Sequence, residues 1–303
     1  MKTEILSSAS IELAISSLLQ GEVVAIPTET VYGLAALYDN EKAIEKIYKI
    51  KKRPKDNPLI VHISSIEMID LLAVDLPLSF SKITERFFPG PLTVLLNKHP
   101  ALSEIVCAGH ATVAVRMPSH PLARELIHKV GKPLVAPSAN LSGRPSPTNV
   151  FDVLEDLFGK IPYIVDGGPC ALGIESTVLD LSQKKARIVR PGLIAKEEIE
   201  AFLKEEIEYG KGASPGTKYR HYAPNVPIFL YEDPQVLKRE LEKDLSLKRM
   251  ILGKGFTPFS PSNLFSLLRQ ADRRDEAIFI YLDPTTKENI ALMNRILKAA
   301  GKE

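Results

Sequence analysis

The chain has 303 residues, 45% hydrophobic and 25% charged, and its 39 Lys+Arg against 37 Asp+Glu leave a formal net charge of +2. At about 150 residues per domain this fits one large domain or two unequal ones, and it excludes a disordered chain. A near-neutral total also speaks against a protein that coats nucleic acid by bulk charge, so an anionic partner must be met by local concentrations of charge. No apolar run approaches the about 18 to 20 residues of a membrane span, and the N-terminus lacks a basic-then-apolar leader pattern, so a cytoplasmic location is expected. Cys107 and Cys170 lack a CxxC partner and the six histidines include no HExxH pair. No metal held by the protein alone is therefore expected.

In chain order, Val- and Ile-rich runs at 23–26, 59–63, 93–96, 112–115, 133–136, 163–165, 177–181 and 187–189 read as short strands. Between them, Ala43, Ile44, Ile47 and Ile50 repeat at helical spacing behind Asp39 and Asn40, which predicts a helix over 41–51. A second helix is expected after Ser119, with Pro121 in its first turn and Gly131 past its end. A third is expected over 196–208. Strands alternate with helices and also follow one another directly, which predicts a mixed parallel and antiparallel sheet with flanking helices. Gly210, Gly212, Pro215, Gly216 and Pro224 then break regular structure, so a linker is placed at 209–225. It separates a first domain, 1–208, from a small α/β domain, 226–303, with strands at 227–231, 249–252 and 277–282.

Four segments carry candidate chemistry. Residues 27–34, PTETVYGL, cluster hydroxyls and a carboxylate at the end of the first strand, and an ordinary turn would look the same. Lys46, Lys49, Lys51, Lys52, Arg53 and Lys55 put six cations into ten positions without an acid, which makes a local anion site or a solvated face. Arg53 precedes Pro54, so the helix should end there and its guanidinium should project from a loop, as phosphate recognition needs. Asn57 and His62 open and occupy the next strand. Strand alternation sets Thr112, Ala114 and Arg116 on one face, with Arg116 able to hold a carboxylate or to make an edge ion pair. The loop 136–147, from Ala136 through Ser138 to Ser146, is small and hydroxyl-rich, which lets backbone amides approach an anion. No GxGxxG, no GxxxxGK[ST] and no GxSxG sequence is present.

Taken in order, PTETVYGL, KRPKDNPLIVHI, TVAVRMP, APSANLSG, GIESTVLD, VRPG and, at 214–224, SPGTKYRHYAP resemble the L-threonylcarbamoyladenylate synthase family in its long form, a YrdC-like domain followed by a small C-terminal domain. Thr217 departs from the Met often found after that Pro-Gly. The resemblance implies a YrdC-like twisted mixed sheet with flanking helices and a small Rossmann-like C-terminal domain. It also implies a reaction in which L-threonine, bicarbonate and ATP, with Mg2+ on the ATP, give threonylcarbamoyl-AMP and pyrophosphate. The product would pass to a transferase complex that builds threonylcarbamoyladenosine in tRNA. By family position, Thr30, His62, Arg116, Ala136 and Ser176 are expected around L-threonine, and Arg53, Asn57, Thr112, Ser138, Ser146 and Arg190 around ATP. The linker, with Lys218, Tyr219, Arg220, His221 and Tyr222, is expected to act as a lid, His221 and Tyr222 being its contacts. No role is expected beyond 225. The alternative is an RNA-binding module that uses the basic groove of the first domain, with direct tRNA contact.

Overall fold

A computed structural model of the chain describes residues 2–210 and 221–302. They fall into two compact units: Met1–Ser142 with Pro147–Lys218, and Gly143–Ser146 with Tyr219–Glu303. Four residues of the loop 136–147 thus group with the second unit.

The first unit is built on a sheet whose strands in chain order are β1 Glu4–Leu6, β2 Val24–Ile26, β3 Gly33–Leu37, β4 Ile60–His62, β5 Leu92–Asn97, β6 Thr112–Arg116, β7 Leu134–Val135, β8 Tyr163–Val165, β9 Thr177–Asp180, β10 Arg187–Arg190 and β11 Glu208–Tyr209. Their spatial order is β1-β8-β2-β3-β7-β4-β6-β5-β9-β10-β11. Parallel pairs such as β4 with β6 and β5 with β9 mix with antiparallel ones such as β5 with β6 and β9 with β10. This is the mixed sheet that the strand pattern predicts. β6 lies between β4 and β5, so Arg116 is not an edge residue.

The central strands differ on their two faces because side chains alternate. Val61, Val94, Leu96, Val113, Val115, Leu179 and Ile188 join the main core with the helix Glu41–Lys51, whose Ala43, Ile44, Ile47 and Tyr48 are buried. The alternate positions Ile60, Leu95, Ala114, Val178 and Val189 form a small apolar patch on the other face. His62, Thr93, Thr112, Arg116 and Ser176 are each two residues from a member of that patch, so the strand period puts polar groups around it.

The helix Glu41–Lys51 begins where Asn40 Oδ1 accepts from Ala43 N at 3.0 Å. It stops at Lys52, which adopts the left-handed conformation with φ 52°. The helix expected over 196–208 ends earlier, at Leu203. Lys204 turns left-handed, Glu200 takes the Ile207 amide at 2.8 Å, and Glu208–Tyr209 leaves to pair in parallel with β10.

In the second unit β12 Ile228–Tyr231, β13 Arg249–Leu252 and β14 Ala277–Tyr281 form a parallel sheet in the order β12-β14-β13. The helices Pro234–Lys243, Leu264–Arg274 and Ile290–Ala300 connect and flank them, which makes a small Rossmann-like layer.

Candidate active site

Register places the first cluster. In the parallel β4–β6 ladder His62 stands opposite Arg116, and two neighbours on one face of a sheet lie side by side. Arg116 is 4% exposed. Its Nε donates to the Gly90 carbonyl at 3.1 Å and its Nη1 to Thr30 Oγ1 at 2.8 Å. Its Nη2 lies 2.7 Å from Glu29 Oε1. That contact is short but off the N–H direction, so neither atom counts an aligned hydrogen bond. The turn behind it is held by Thr28, whose Oγ1 accepts from the Thr30 and Val31 amides at 3.2 Å and lies 2.9 Å from Thr30 Oγ1.

The electrostatics of this cluster follow from burial and one cation. Burial alone would raise the Glu29 carboxyl, but the charge and close contact of the Arg116 guanidinium, with the Ser119 and Glu29 backbone, outweigh it and hold the group below its usual range. His62 is driven the other way, down to about 3, first by burial and then by the Arg116 charge, against the opposing pull of Glu29. The imidazole is therefore neutral throughout the physiological range, and its Nδ1 is buried without a hydrogen-bond partner.

A second cluster joins β5, β9 and β10. Ser176 Oγ lies 2.7 Å from Thr93 Oγ1 and accepts from Arg190 Nη2 at 3.0 Å, while Arg190 Nε donates to the Ser176 carbonyl at 3.1 Å. Register slips between Ile188 and Arg190, and this bulge re-aims the Arg190 side chain. Gly192 makes the approach possible, since a Cβ there would stand 2.2 Å from the Thr177 amide nitrogen and 2.6 Å from the Ser176 carbonyl carbon.

A third cluster closes the end of the helix Glu41–Lys51. Lys51, 1% exposed, donates through Nζ to the carbonyls of Ser138 and of Asn140, the latter at 2.6 Å. Arg53 donates through Nε to the Asn57 carbonyl at 3.1 Å, and through Nη2 to Asn57 Oδ1 at 2.6 Å and the Pro58 carbonyl at 2.7 Å. The expectation that this guanidinium projects from its loop is corrected: it is 9% exposed and folded back, because the turn to Pro58 buries carbonyls that need donors. The loop 136–140 runs beside 32–34, with Leu34 N on the Pro137 carbonyl at 2.7 Å and Ala139 N on the Tyr32 carbonyl at 2.8 Å. Ala136 N donates to the Ile60 carbonyl at 3.0 Å.

The remaining expected residues lie apart. Thr112 is at the opposite end of β6 from Arg116, about 13 Å away at strand rise. Ser146 belongs to the second unit. There Tyr222, with φ 64°, stacks on Phe265 at 5.0 Å and lies 5.5 Å from the His221 ring. Thr217, Lys218, Tyr219 and Arg220 lie outside the described residues. Among the described residues no three of His, Cys, Asp and Glu converge as metal ligands. Thr93, Glu29, Lys51 and Asn140 are members of these clusters to which the sequence reading gave no individual role. Thr93 reads only as a strand former, and its contact with Ser176 spans 83 residues.

A family model described as "Telomere recombination", covering Sua5, YciO and YrdC, matches residues 16–192. A second, described as "Threonylcarbamoyl-AMP synthase, C-terminal domain", matches 194–301. The chain belongs to this family. Similar proteins include the threonylcarbamoyl-AMP synthase of Pyrococcus abyssi, 39% identical over 96% of this chain and 94% of that one, and that of Bacillus subtilis, 42% identical over 95% and 92%. The crystal structure of P. abyssi Sua5 complexed with L-threonine superposes with a TM-score of 0.91 at 36% identity, covering 100% of this chain and 98% of that one. Among the described residues no helix is long and apolar enough to cross a membrane.

Proposed function

We propose that the chain is a threonylcarbamoyl-AMP synthase, a nucleotidyltransferase that converts L-threonine, bicarbonate and MgATP to threonylcarbamoyl-AMP and pyrophosphate in the cytoplasm. The observation that carries it is the buried Arg116, fixed by Gly90 and Thr30 beside a neutral His62, in a chain whose similar proteins bear that name along almost their whole length. A guanidinium held in this way is ready for a carboxylate and loses little freedom on binding it. The substrate amine adds to bicarbonate with loss of water, a carbamate oxygen attacks the α-phosphorus, and the bond to pyrophosphate breaks. Negative charge grows on phosphate oxygens during this displacement, and Arg53, Arg190 and the amides of the loop 136–140 are the groups suited to meet it. Asn57, Thr112, Ser138 and Ser146 complete the proposed nucleotide contacts, and His62, Ala136 and Ser176 the threonine contacts. Mg2+ enters on the triphosphate as part of the substrate. His221 and Tyr222 keep their proposed role as lid contacts, and a transferase complex that acts on tRNA would take the product.

The RNA-binding alternative is not favoured. Lys51 is spent on the Ser138 and Asn140 carbonyls, and Lys46 on Glu22 at 2.8 Å, so the run of cations is not one free face. The test is pyrophosphate release, which is expected only when threonine, bicarbonate and ATP are all present. Turnover of ATP that is indifferent to threonine would overturn the reading.

A further inference from the structure

Glu29 is a charged group to which the reaction above gives no task. It is 8% exposed. A buried carboxylate ordinarily gathers several N–H donors, since burying the ion without them costs several kcal/mol. Here neither Oε1 nor Oε2 has an aligned donor: the Ser119 and Glu29 backbone amides act on the carboxylate without an aligned bond, and Arg116 Nη2 stands at 2.7 Å. Arg116 Nη2 is equally without an aligned acceptor, although Nε and Nη1 are engaged by Gly90 and Thr30. A fixed positive group and a fixed negative group thus stand side by side, each with hydrogen-bonding capacity to spare, and both are buried. The complement of that pair is a zwitterion.

We propose that Glu29 binds the ammonium group of the substrate, so that Arg116 and Glu29 together select an α-amino acid, one by its carboxylate and the other by its charged nitrogen. This rests on the reading of Arg116 as the carboxylate site. The Arg116 charge keeps Glu29 ionised, as an ammonium partner requires. His62, neutral on the adjacent strand, neither repels an ammonium nor competes for the carboxylate. The pairing also accounts for the Arg116–Glu29 contact being close, at 2.7 Å, yet not aligned as a hydrogen bond. A tight, aligned Arg116–Glu29 pair would leave little for a ligand to gain.

The test is calorimetric titration of the full chain with L-threonine and with 3-hydroxybutanoate, which keeps the carboxylate and hydroxyl but lacks the amine, for the unaltered protein and for Glu29→Gln. The unaltered chain is expected to prefer L-threonine. Glu29→Gln is expected to cut that preference by about 10- to 100-fold, the size of a charge-assisted hydrogen bond, with little change for 3-hydroxybutanoate. Equal weakening of both ligands would mean that Glu29 only aligns Arg116 and would overturn the proposal, as would an unchanged preference. Should Glu29→Gln not fold, the unaltered chain still decides, because equal affinity for the two ligands rules out an ammonium site. An unaltered chain that binds no L-threonine would instead remove the functional reading on which the proposal stands.

Discussion

Arg53 and Arg116 are both buried arginines on the first unit, and the chain treats them in opposite ways. Arg53, like Lys51 close by, is engaged by backbone carbonyls and an amide oxygen from its own neighbourhood. Around Arg116, by contrast, the guanidinium's own Nη2, both Glu29 oxygens and His62 Nδ1 lack aligned partners, whereas beside Arg53 it is the Asn57 Nδ2 that does. The first region uses cations to hold two loops in place, and the second keeps polar atoms in reserve. Burial of a cation is thus no guide to its task until its partners are counted.

The largest effect should come from breaking the second region. Arg116→Met leaves the Glu29 carboxylate buried without its counter-charge, a loss of about 3–5 kcal/mol, to be read as a lower denaturation midpoint with loss of threonine-dependent pyrophosphate release. Lys51→Met should act in the first region: the Ser138 and Asn140 carbonyls lose their donor at a cost of ~1–3 kcal/mol. There KM for ATP is expected to rise more than KM for threonine, and the reverse split would erase the contrast. Gly192→Ala forces a methyl against the Thr177 amide, so Ser176 and Arg190 must shift. A loss of about 1–3 kcal/mol is expected, with reduced turnover.

Acid titration sharpens the same comparison. The folded His62 takes up its proton only near pH 3, whereas an unfolded histidine does so near 6.5. Between those values the unfolded state binds more protons, so stability falls as pH drops through that window. Glu29 adds to the loss at the acid end: its stabilisation, present above the unfolded carboxyl range, disappears as pH falls through its lowered folded value. His62→Gln should flatten the first part of this slope, and a slope that does not change would place the acid sensitivity elsewhere. The smallest effect is expected from Lys46→Ala, which removes a surface pair with Glu22 and should cost less than about 1 kcal/mol without altering turnover.

Much of this was legible in the chain. The strand pattern announced β4, β5, β6, β9 and β10, and the helix Glu41–Lys51 has the expected bounds. β3 went unread: only its Gly33 and Leu34 fell within the candidate segment 27–34, and GLAAL carries no β-branched residue to announce a strand. Its place comes from pairing with β2 and β7, which local propensity does not encode. The strand β1 and the helix Leu264–Arg274 also went unread. At the site, alternation correctly set Thr112, Ala114 and Arg116 on one face, yet it could not give Arg53 its inward direction. That was decided by the carbonyls of Asn57 and Pro58, which the turn buries: the guanidinium donates to both, and the Tyr48 hydroxyl donates to the first as well.

The sequence by itself determined which residue types are present, the period that sends polar groups to one face of the strands, and the ordered motifs that carry the family. Only the tertiary structure decided which of those groups meet. Glu29 and Arg116 are 87 residues apart, and Thr93 and Ser176 are 83 apart; strand order brings each pair together, with Glu29 set by the turn after β2 and Ser176 by the entry to β9. The physical reason is that a strand fixes where its side chains point but not which strand lies beside it. The neighbour is chosen by burying the main core. The site is what that choice leaves on the opposite face.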